Sequence, residues 1–309
     1  MKKITIFIIA LYFSTNLFGQ TKEIFYSNPK DSNTNYYIAF KPASLPKGLL
    51  LLLTSFGETP QIASNETTIQ NIAAKNGLIT VFASLQYGTQ TFFIDSLSQS
   101  NIDKLIIDLQ RKYSVIDKPL YLGGFSLGGS GVVKYAERAN GSNSLIKPKA
   151  IFAIDPPLDF EKMYFSLEYA VMHSNVDIAK QEADYFIKRI QYEFQSTPYI
   201  NKTPFHSISP YSFSDTTQTN IKLLINCPIM LISEPDIMWQ MEERNRSIYD
   251  LNTLDCSLVI NSLRLLGNKN AKLVLTNNKG FRKLTGKKNP HSWSIAEAEE
   301  TVNWLINFK

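Results

Sequence analysis

Short apolar runs and helix-like apolar spacings alternate along most of the chain. The run at 48–53 is almost purely aliphatic, which is typical of a strand buried on both faces. Between 102 and 109, apolar residues recur at spacings of three and four, which predicts an amphipathic helix. This alternation predicts an α/β fold with a mostly parallel central sheet flanked by helices. Further strands are predicted at 36–40, 78–83, 120–122, 150–154, 228–232 and 272–276, and further helices at 66–75, 132–138 and 253–266 and at the C-terminus, where Ser294 and Glu297 have the spacing of a capping box.

The alternation is interrupted between residues 157 and 220. This segment is rich in aromatic and charged residues and contains two helical patterns, near 158–174 and 177–195. We interpret it as a helical cap inserted between two strands of the sheet, with a long crossover connection as the alternative. Because no Pro- or Ser-rich linker divides the chain, we predict one domain at 20–309 that carries this insertion.

The N-terminus has the pattern of a secretory signal peptide. Lys2 and Lys3 precede an apolar run from Ile4 to Phe13, and a polar break follows. The run is too short to span a bilayer, so residues 1–19 are predicted to be a signal peptide, with an uncleaved anchor as the alternative. We therefore expect an exported protein, periplasmic or extracellular, with no stable membrane span after removal of the signal.

Composition narrows the classes of partner. The net charge is +5, but the basic residues are scattered rather than arranged in a stripe with aromatic residues, so no nucleic-acid partner is expected. Cys227 and Cys256 are predicted on a strand and a helix, respectively, which favours two separate buried thiols over a disulfide. No Cys/His spacing resembles a metal site, so we expect no metal. The oligomeric state stays open.

A candidate nucleophile lies in a glycine-rich turn. The segment Gly124-Phe125-Ser126-Leu127-Gly128 matches the pattern G-x-S-x-G, after a predicted strand and before a helix-compatible stretch. A tight strand-to-helix turn needs glycines beside the serine, because the helix must pack closely against the strands. We predict that Ser126 is a nucleophile, the alternative being a glycine-rich turn without chemistry.

A serine hydroxyl is a weak nucleophile until a base accepts its proton. Of the three histidines, His291 follows the last predicted strand, so it is expected at the same sheet edge as Ser126. His173 and His206 lie in the predicted cap and are the alternatives. We predict that His291 is the base.

The base in turn needs a carboxylate that holds its tautomer. Asp236 follows the strand predicted at 228–232 within four residues, and we predict that it is this acid. Glu234 is its close competitor. The chain order Ser126, Asp236, His291 is the order typical of hydrolases with a G-x-S-x-G turn.

In these motifs and in the order of its elements, the chain resembles the α/β-hydrolase superfamily over essentially the whole of its mature length. The resemblance implies a Ser–acid–His triad and an acyl-enzyme route that needs no metal or organic cofactor. An oxyanion hole is also expected, with one donor at the backbone N–H of Leu127 and a second in the loop after the strand at 48–53. We assign the second donor to Phe56, although this loop begins Thr54-Ser55 where many esterases have His-Gly.

These residues favour hydrolysis of a carboxylic ester, with a small-molecule ester as substrate. A serine peptidase acting on small peptides and a non-catalytic binding protein on a hydrolase scaffold are the alternatives. Several aromatic residues near the predicted edge could line a pocket or pack in the core: Phe56, Tyr87, Trp239 and Trp293.

Overall fold

The computed structural model describes residues 21–26, 36–85 and 92–308. The predicted signal peptide and Tyr87 lie outside these residues. The described residues form an eight-stranded sheet in the order β1-β2-β4-β3-β5-β6-β7-β8. β2 is antiparallel to both of its neighbours, and every pair from β4 to β8 is parallel. The strands are β1 (Thr21–Tyr26), β2 (Tyr36–Lys41), β3 (Gly48–Leu53), β4 (Leu78–Ala83), β5 (Leu120–Phe125), β6 (Ala150–Ile154), β7 (Ile229–Ser233) and β8 (Ala271–Leu275).

From β3 to β8, helices connect the strands as the alternating pattern predicts. They are α1 (Pro60–Glu66), α2 (Ile69–Lys75), α3 (Ser96–Lys112), α4 (Leu127–Asn140), α5 (Phe160–His173), α6 (Asp177–Phe194), α7 (Thr203–Ile208), α8 (Ile237–Arg244), α9 (Asn252–Leu265) and α10 (Ala298–Ile306).

Two helix predictions were wrong in detail. The single helix expected at 66–75 is two helices, because Pro60 starts α1 early and the backbone is extended at Thr67. The capping box expected at Ser294 is absent, since α10 begins after Glu297. The Ser294 hydroxyl instead donates to the carbonyl of Lys279 and accepts from the N–H of Phe281.

The aliphatic run of β3 is explained by two hydrophobic clusters, one on each face of the sheet. Leu49, Leu51 and Leu53 point into the cluster that contains residues of α3, α4 and α9. Leu50 and Leu52 point into the cluster that contains residues of α1, α2 and α10. Burial on both faces leaves no position in the strand where a polar side chain would be solvated.

The segment between β6 and β7 contains α5, α6 and α7. Aromatic rings hold these helices together, with centroids 5.5 Å apart for Phe160 and Phe194 and 4.5 Å apart for Phe194 and Phe205. A buried ion pair joins Lys162 of α5 to Asp255 of α9, with the Nζ and Oδ1 atoms 2.5 Å apart. The insertion is therefore anchored to the sheet domain at the start of α5.

The prediction of two separate buried thiols is confirmed. Cys227 and Cys256 are both free and buried. Burial raises the pKa of the Cys227 thiol to about 12 and that of Cys256 well above its usual value. Among the described helices, none is both long and apolar enough to cross a membrane.

Candidate functional site

Ser126 lies in a strained turn between β5 and α4. Its backbone has φ 55° and ψ −127°, and a positive φ costs energy for a residue with a side chain. Its N–H donates to the carbonyl of Ile154 on the neighbouring strand, at 2.8 Å. The turn therefore holds Ser126 at the carboxyl edge of the sheet, where the sequence predicts a nucleophile.

Two flanking glycines make this turn sterically feasible. A Cβ on Gly128 would lie 2.3 Å from the carbonyl oxygen of Thr54, and a Cβ on Gly124 would lie 2.5 Å from the carbonyl of Gly128. No side chain fits at such distances. The same close approach brings the loop after β3 directly against the turn that carries Ser126.

The structure brings Ser126 and His291 together. His291 lies in the loop between β8 and α10, and its Nε2 is 2.9 Å from the Oγ of Ser126. Its ring packs against Phe125, with centroids 4.6 Å apart. The other nitrogen, Nδ1, is 2.6 Å from Oδ2 of Asp155. A carboxylate only accepts, so the network assigns the proton to Nδ1 and leaves Nε2 to accept from the serine hydroxyl.

The predicted contact between Asp236 and His291 is wrong. Asp236 directly precedes α8, and its Oδ2 lies 2.5 Å from the Nζ of Lys288. Its competitor Glu234 does not contact His291 either. The buried Glu234 carboxylate accepts from the backbone N–H groups of Lys279 and Gly280, at 2.8 and 3.0 Å. Glu234 thus shapes the loop that leads to His291, and Asp236 pairs with a lysine of that loop.

The sheet register explains why Asp155 is the partner of His291. Phe125 pairs with Ile154, so the next residues, Ser126 and Asp155, stand side by side at the ends of neighbouring strands. Asp236 follows β7, which lies one strand farther from β5. The sequence did hold a signal for Asp155, because it comes directly after a buried strand and before two prolines.

The two predicted oxyanion donors lie beside this turn. Leu127 is the first residue of α4, where N–H groups have no partner within the helix and the helix dipole favours negative charge. Phe56 belongs to the loop that contacts Gly128. Within the described residues, neither N–H has a hydrogen-bond acceptor. Both therefore stay candidates for binding a ligand oxygen.

Glu58 links the loop of Phe56 to the loop of His291. Its Oε2 accepts from the N–H of Ser55 at 3.0 Å, and its two oxygens lie 3.1 and 3.0 Å from the indole Nε1 of Trp293. Burial raises the pKa of the Glu58 carboxyl. Trp293 is fully buried and packs on Phe125 at 5.4 Å. Trp293 is therefore a core residue that supports the site.

Among the aromatic candidates that the structure describes, Phe56 packs against the insertion. Its ring centroid is 4.9 Å from that of Phe186 and 6.0 Å from that of Tyr185, both on α6. Trp239 lies under the guanidinium of Arg244, at 5.5 Å. A loop residue with a candidate oxyanion donor is therefore covered by a helix of the insertion.

The two other histidines lie in the insertion and contact partners there. The Nε2 of His206 is 2.7 Å from the Oγ of Ser214, and the ring of His173 packs on Tyr169 with centroids 4.4 Å apart. His291 is thus the histidine that the fold places at Ser126.

A cavity of about 550 Å³ lies between α6 and the start of α3, and neither Ser126 nor His291 lines it.

Comparison with known proteins supports the fold. No family model and no curated protein matches this chain. The structure is similar to that of S-formylglutathione hydrolase from Agrobacterium tumefaciens, with a TM-score of 0.58 and 10% identity over 94% of this chain and 96% of that one. It is also similar to carboxyl esterase 2 from Tuber melanosporum, with a TM-score of 0.54 and 13% identity over 97% and 87% of the two chains.

A third similar structure is longer. The acylaminoacyl peptidase of Pyrococcus horikoshii matches with a TM-score of 0.54 and 13% identity over 89% of this chain. This chain spans only 38% of the length of that peptidase. The likeness to all three structures is one of fold, since the sequence identities are only 10–13%.

Proposed function

We propose that this chain, which has the α/β-hydrolase fold, is a serine hydrolase that cleaves carboxylic esters with Ser126, His291 and Asp155. The observation that carries the proposal is the unbroken hydrogen-bonded series from carboxylate to imidazole to hydroxyl, with contacts of 2.6 and 2.9 Å. A base within hydrogen-bond reach of a serine, itself oriented by a third group, is the arrangement that activates a serine hydroxyl.

The proposed reaction begins when the Oγ of Ser126 attacks the ester carbonyl carbon and His291 Nε2 takes the hydroxyl proton. The Asp155 carboxylate stabilises the imidazolium that forms. The N–H groups of Leu127 and Phe56 bind the negative oxygen of the tetrahedral intermediate. His291 then donates its proton to the departing alcohol oxygen, which leaves an acyl group on Ser126.

The second half repeats the same proton transfers with water. His291 Nε2 accepts a proton from water as the water oxygen attacks the acyl carbon. The intermediate collapses, the bond to Ser126 breaks, and the proton on His291 returns to Oγ. The products are a carboxylic acid and an alcohol, and no step needs a metal or an organic cofactor.

Two similar structures support an ester as substrate. The S-formylglutathione hydrolase and the carboxyl esterase are matched over 96% and 87% of their lengths, respectively. Peptidase action on small substrates remains the second candidate, because the same three residues can cleave an amide.

Side-by-side assays separate the candidates. We expect p-nitrophenyl acetate and butyrate to be hydrolysed faster than aminoacyl-p-nitroanilides, and Ser126→Ala to abolish both activities. Faster cleavage of the anilides would favour the peptidase. Turnover by neither class of substrate would favour the non-catalytic binding protein.

We also propose that residues 1–19 direct export. N-terminal sequencing of the protein recovered from periplasm or medium should give a chain that starts near residue 20. An intact N-terminus on a membrane-bound protein would instead support an uncleaved anchor.

A further inference from the structure

A row of polar residues runs across the carboxyl ends of three neighbouring strands. Ile154 pairs with Phe125 of β5 on one side and with Ile232 of β7 on the other. The residues that follow these three, Ser126, Asp155 and Ser233, therefore stand in line. Backbone bonds fix the line, since the N–H of Ser126 donates to Ile154 at 2.8 Å and that of Asp155 donates to Ile232 at 2.7 Å.

The carboxylate of Asp155 is bound on both oxygens. Its Oδ2 faces His291, and its Oδ1 lies 2.5 Å from the Oγ of Ser233. The Oγ of Ser233 is in turn 2.6 Å from Oγ1 of Thr253. A carboxylate cannot donate, so Ser233 must give its one proton to Asp155. Thr253 must then donate to Ser233, which fixes the direction of the whole series.

These hydroxyls lie in an apolar interior. Ser233 is 0% exposed and Thr253 is 8% exposed, and Ser233 ends a strand whose other residues are apolar. A buried hydroxyl costs free energy unless it is bonded. The bonds that compensate for this cost lead to Asp155. An apolar residue at either position would fill the space equally well but would supply no donor.

The start of α9, which supplies Thr253, also binds the backbone of Asp155. Asp155 has φ 44°, and its carbonyl accepts from Nδ2 of Asn252 at 3.0 Å. Asn252 and Thr253 are the first two residues of α9. The strained conformation of Asp155 is thus maintained by β7 and the start of α9 together.

We propose that Ser233 and Thr253 are positioning residues for the hydrolase reaction, forming a relay of hydroxyls that aims Oδ2 of Asp155 at His291. The proposal rests on the proposed function of Ser126, His291 and Asp155. Rotation of the Asp155 carboxylate would break the buried hydrogen bond between its Oδ1 and Ser233. Oδ2 therefore keeps its contact with Nδ1 of His291 as the imidazolium forms. Hydrogen bonds that orient metal-ligating side chains typically change activity by about 10- to 100-fold when removed, and we take the lower end of that range as the scale for this relay.

Thr253 offers a matched pair of variants. Thr253→Val keeps the shape and loses the hydroxyl, whereas Thr253→Ser keeps the hydroxyl and loses a methyl group. We expect Thr253→Val to lower kcat for p-nitrophenyl acetate by about tenfold with KM within about twofold, because the substrate does not touch the relay. Thr253→Ser should keep the kcat of the wild type even where its Tm falls. Ser233→Ala should lower kcat more than Thr253→Val, since it removes the donor to Asp155 itself.

The outcomes separate this proposal from the function on which it rests. An unchanged kcat in folded Thr253→Val or Ser233→Ala, or an equal loss in Thr253→Ser, would overturn the relay while the triad stands. If Thr253→Val does not fold, the comparison of Ser233→Ala with Thr253→Ser decides in the same way. Absence of hydrolysis by the wild type would overturn the proposed function, and the relay with it.

Discussion

Ser126 and Asp155 occupy equivalent positions at the ends of two neighbouring parallel strands, and both have positive φ, at 55° and 44°. His291 reaches both from the loop before α10, with Nε2 on the serine and Nδ1 on the aspartate. Two residues that are 29 positions apart in the chain thus become neighbours through a single strand pairing. The chemistry proposed for this protein depends on that pairing.

Replacement of Asp155 should be far more damaging than replacement of Asp236. Asp155→Asn keeps the shape but removes the charge that holds the His291 tautomer, so we expect kcat for p-nitrophenyl acetate to fall by on the order of 10³- to 10⁴-fold. Asp236→Asn is the matched control and should stay within about threefold of the wild type, because it loses only an ion pair with Lys288 near the surface. If steady-state kinetics showed a larger loss of kcat in Asp236→Asn than in Asp155→Asn, Asp236 rather than Asp155 would be the acid partner of His291.

Glu58 should matter for stability through the two groups it binds. Glu58→Leu leaves the N–H of Ser55 and the indole N–H of Trp293 without their hydrogen-bond acceptor. We expect the free energy of unfolding to fall by about 2–4 kcal/mol as a result. Glu58→Gln keeps one carbonyl acceptor and should lose less than half as much. Urea unfolding of both variants measures the difference, and equal losses would show that the hydrogen bonds contribute little.

Glu137 should make the protein less stable as the pH rises. It is fully buried on α4, and burial raises its pKa to about 8 although Lys134 lies nearby. In the unfolded chain the carboxyl ionises near its usual value of 4.5, so the unfolded state loses its proton first. The free energy of unfolding therefore falls between about pH 4.5 and pH 8, by less than about 5 kcal/mol.

Glu137→Gln removes this titration and gives the test. We expect its stability relative to the wild type to increase from about pH 5 to about pH 9 in urea unfolding. Glu299→Gln, an exposed carboxyl on α10, is the control and should show no such trend. A constant difference between wild type and Glu137→Gln across this range would contradict the raised pKa.

Hydrophobic patterning predicts the central strands well because they are buried on both faces, whereas the mostly exposed β1 carries no such signal and was not predicted. The bounds expected for β3, β4 and β6 are those observed, since an aliphatic run in a parallel sheet has few other conformations open to it. The split between α1 and α2 is less visible, because it depends on one proline and on the local conformation of Thr67.

Within the candidate site, the proximity of Ser126 and His291 was predictable from the sequence, and the acid that contacts His291 was not. Asp155, Glu234 and Asp236 all follow strands at the same edge of the sheet. Which of these acids contacts His291 depends on the position of the loop that carries His291. That loop is shaped by the bonds of Glu234 to Lys279 and Gly280, which are contacts between distant residues that no local pattern reveals.

The central claim is that the Oγ of Ser126 is a nucleophile activated by His291 and Asp155. Intact-mass measurement after exposure to a fluorophosphonate, followed by mapping of the modified peptide, tests it most directly. We predict one phosphonyl adduct per chain, on Ser126, no adduct with Ser126→Ala, and slow labelling of Asp155→Asn. Equal labelling of the wild type and Ser126→Ala, or an adduct on another residue, would contradict the account.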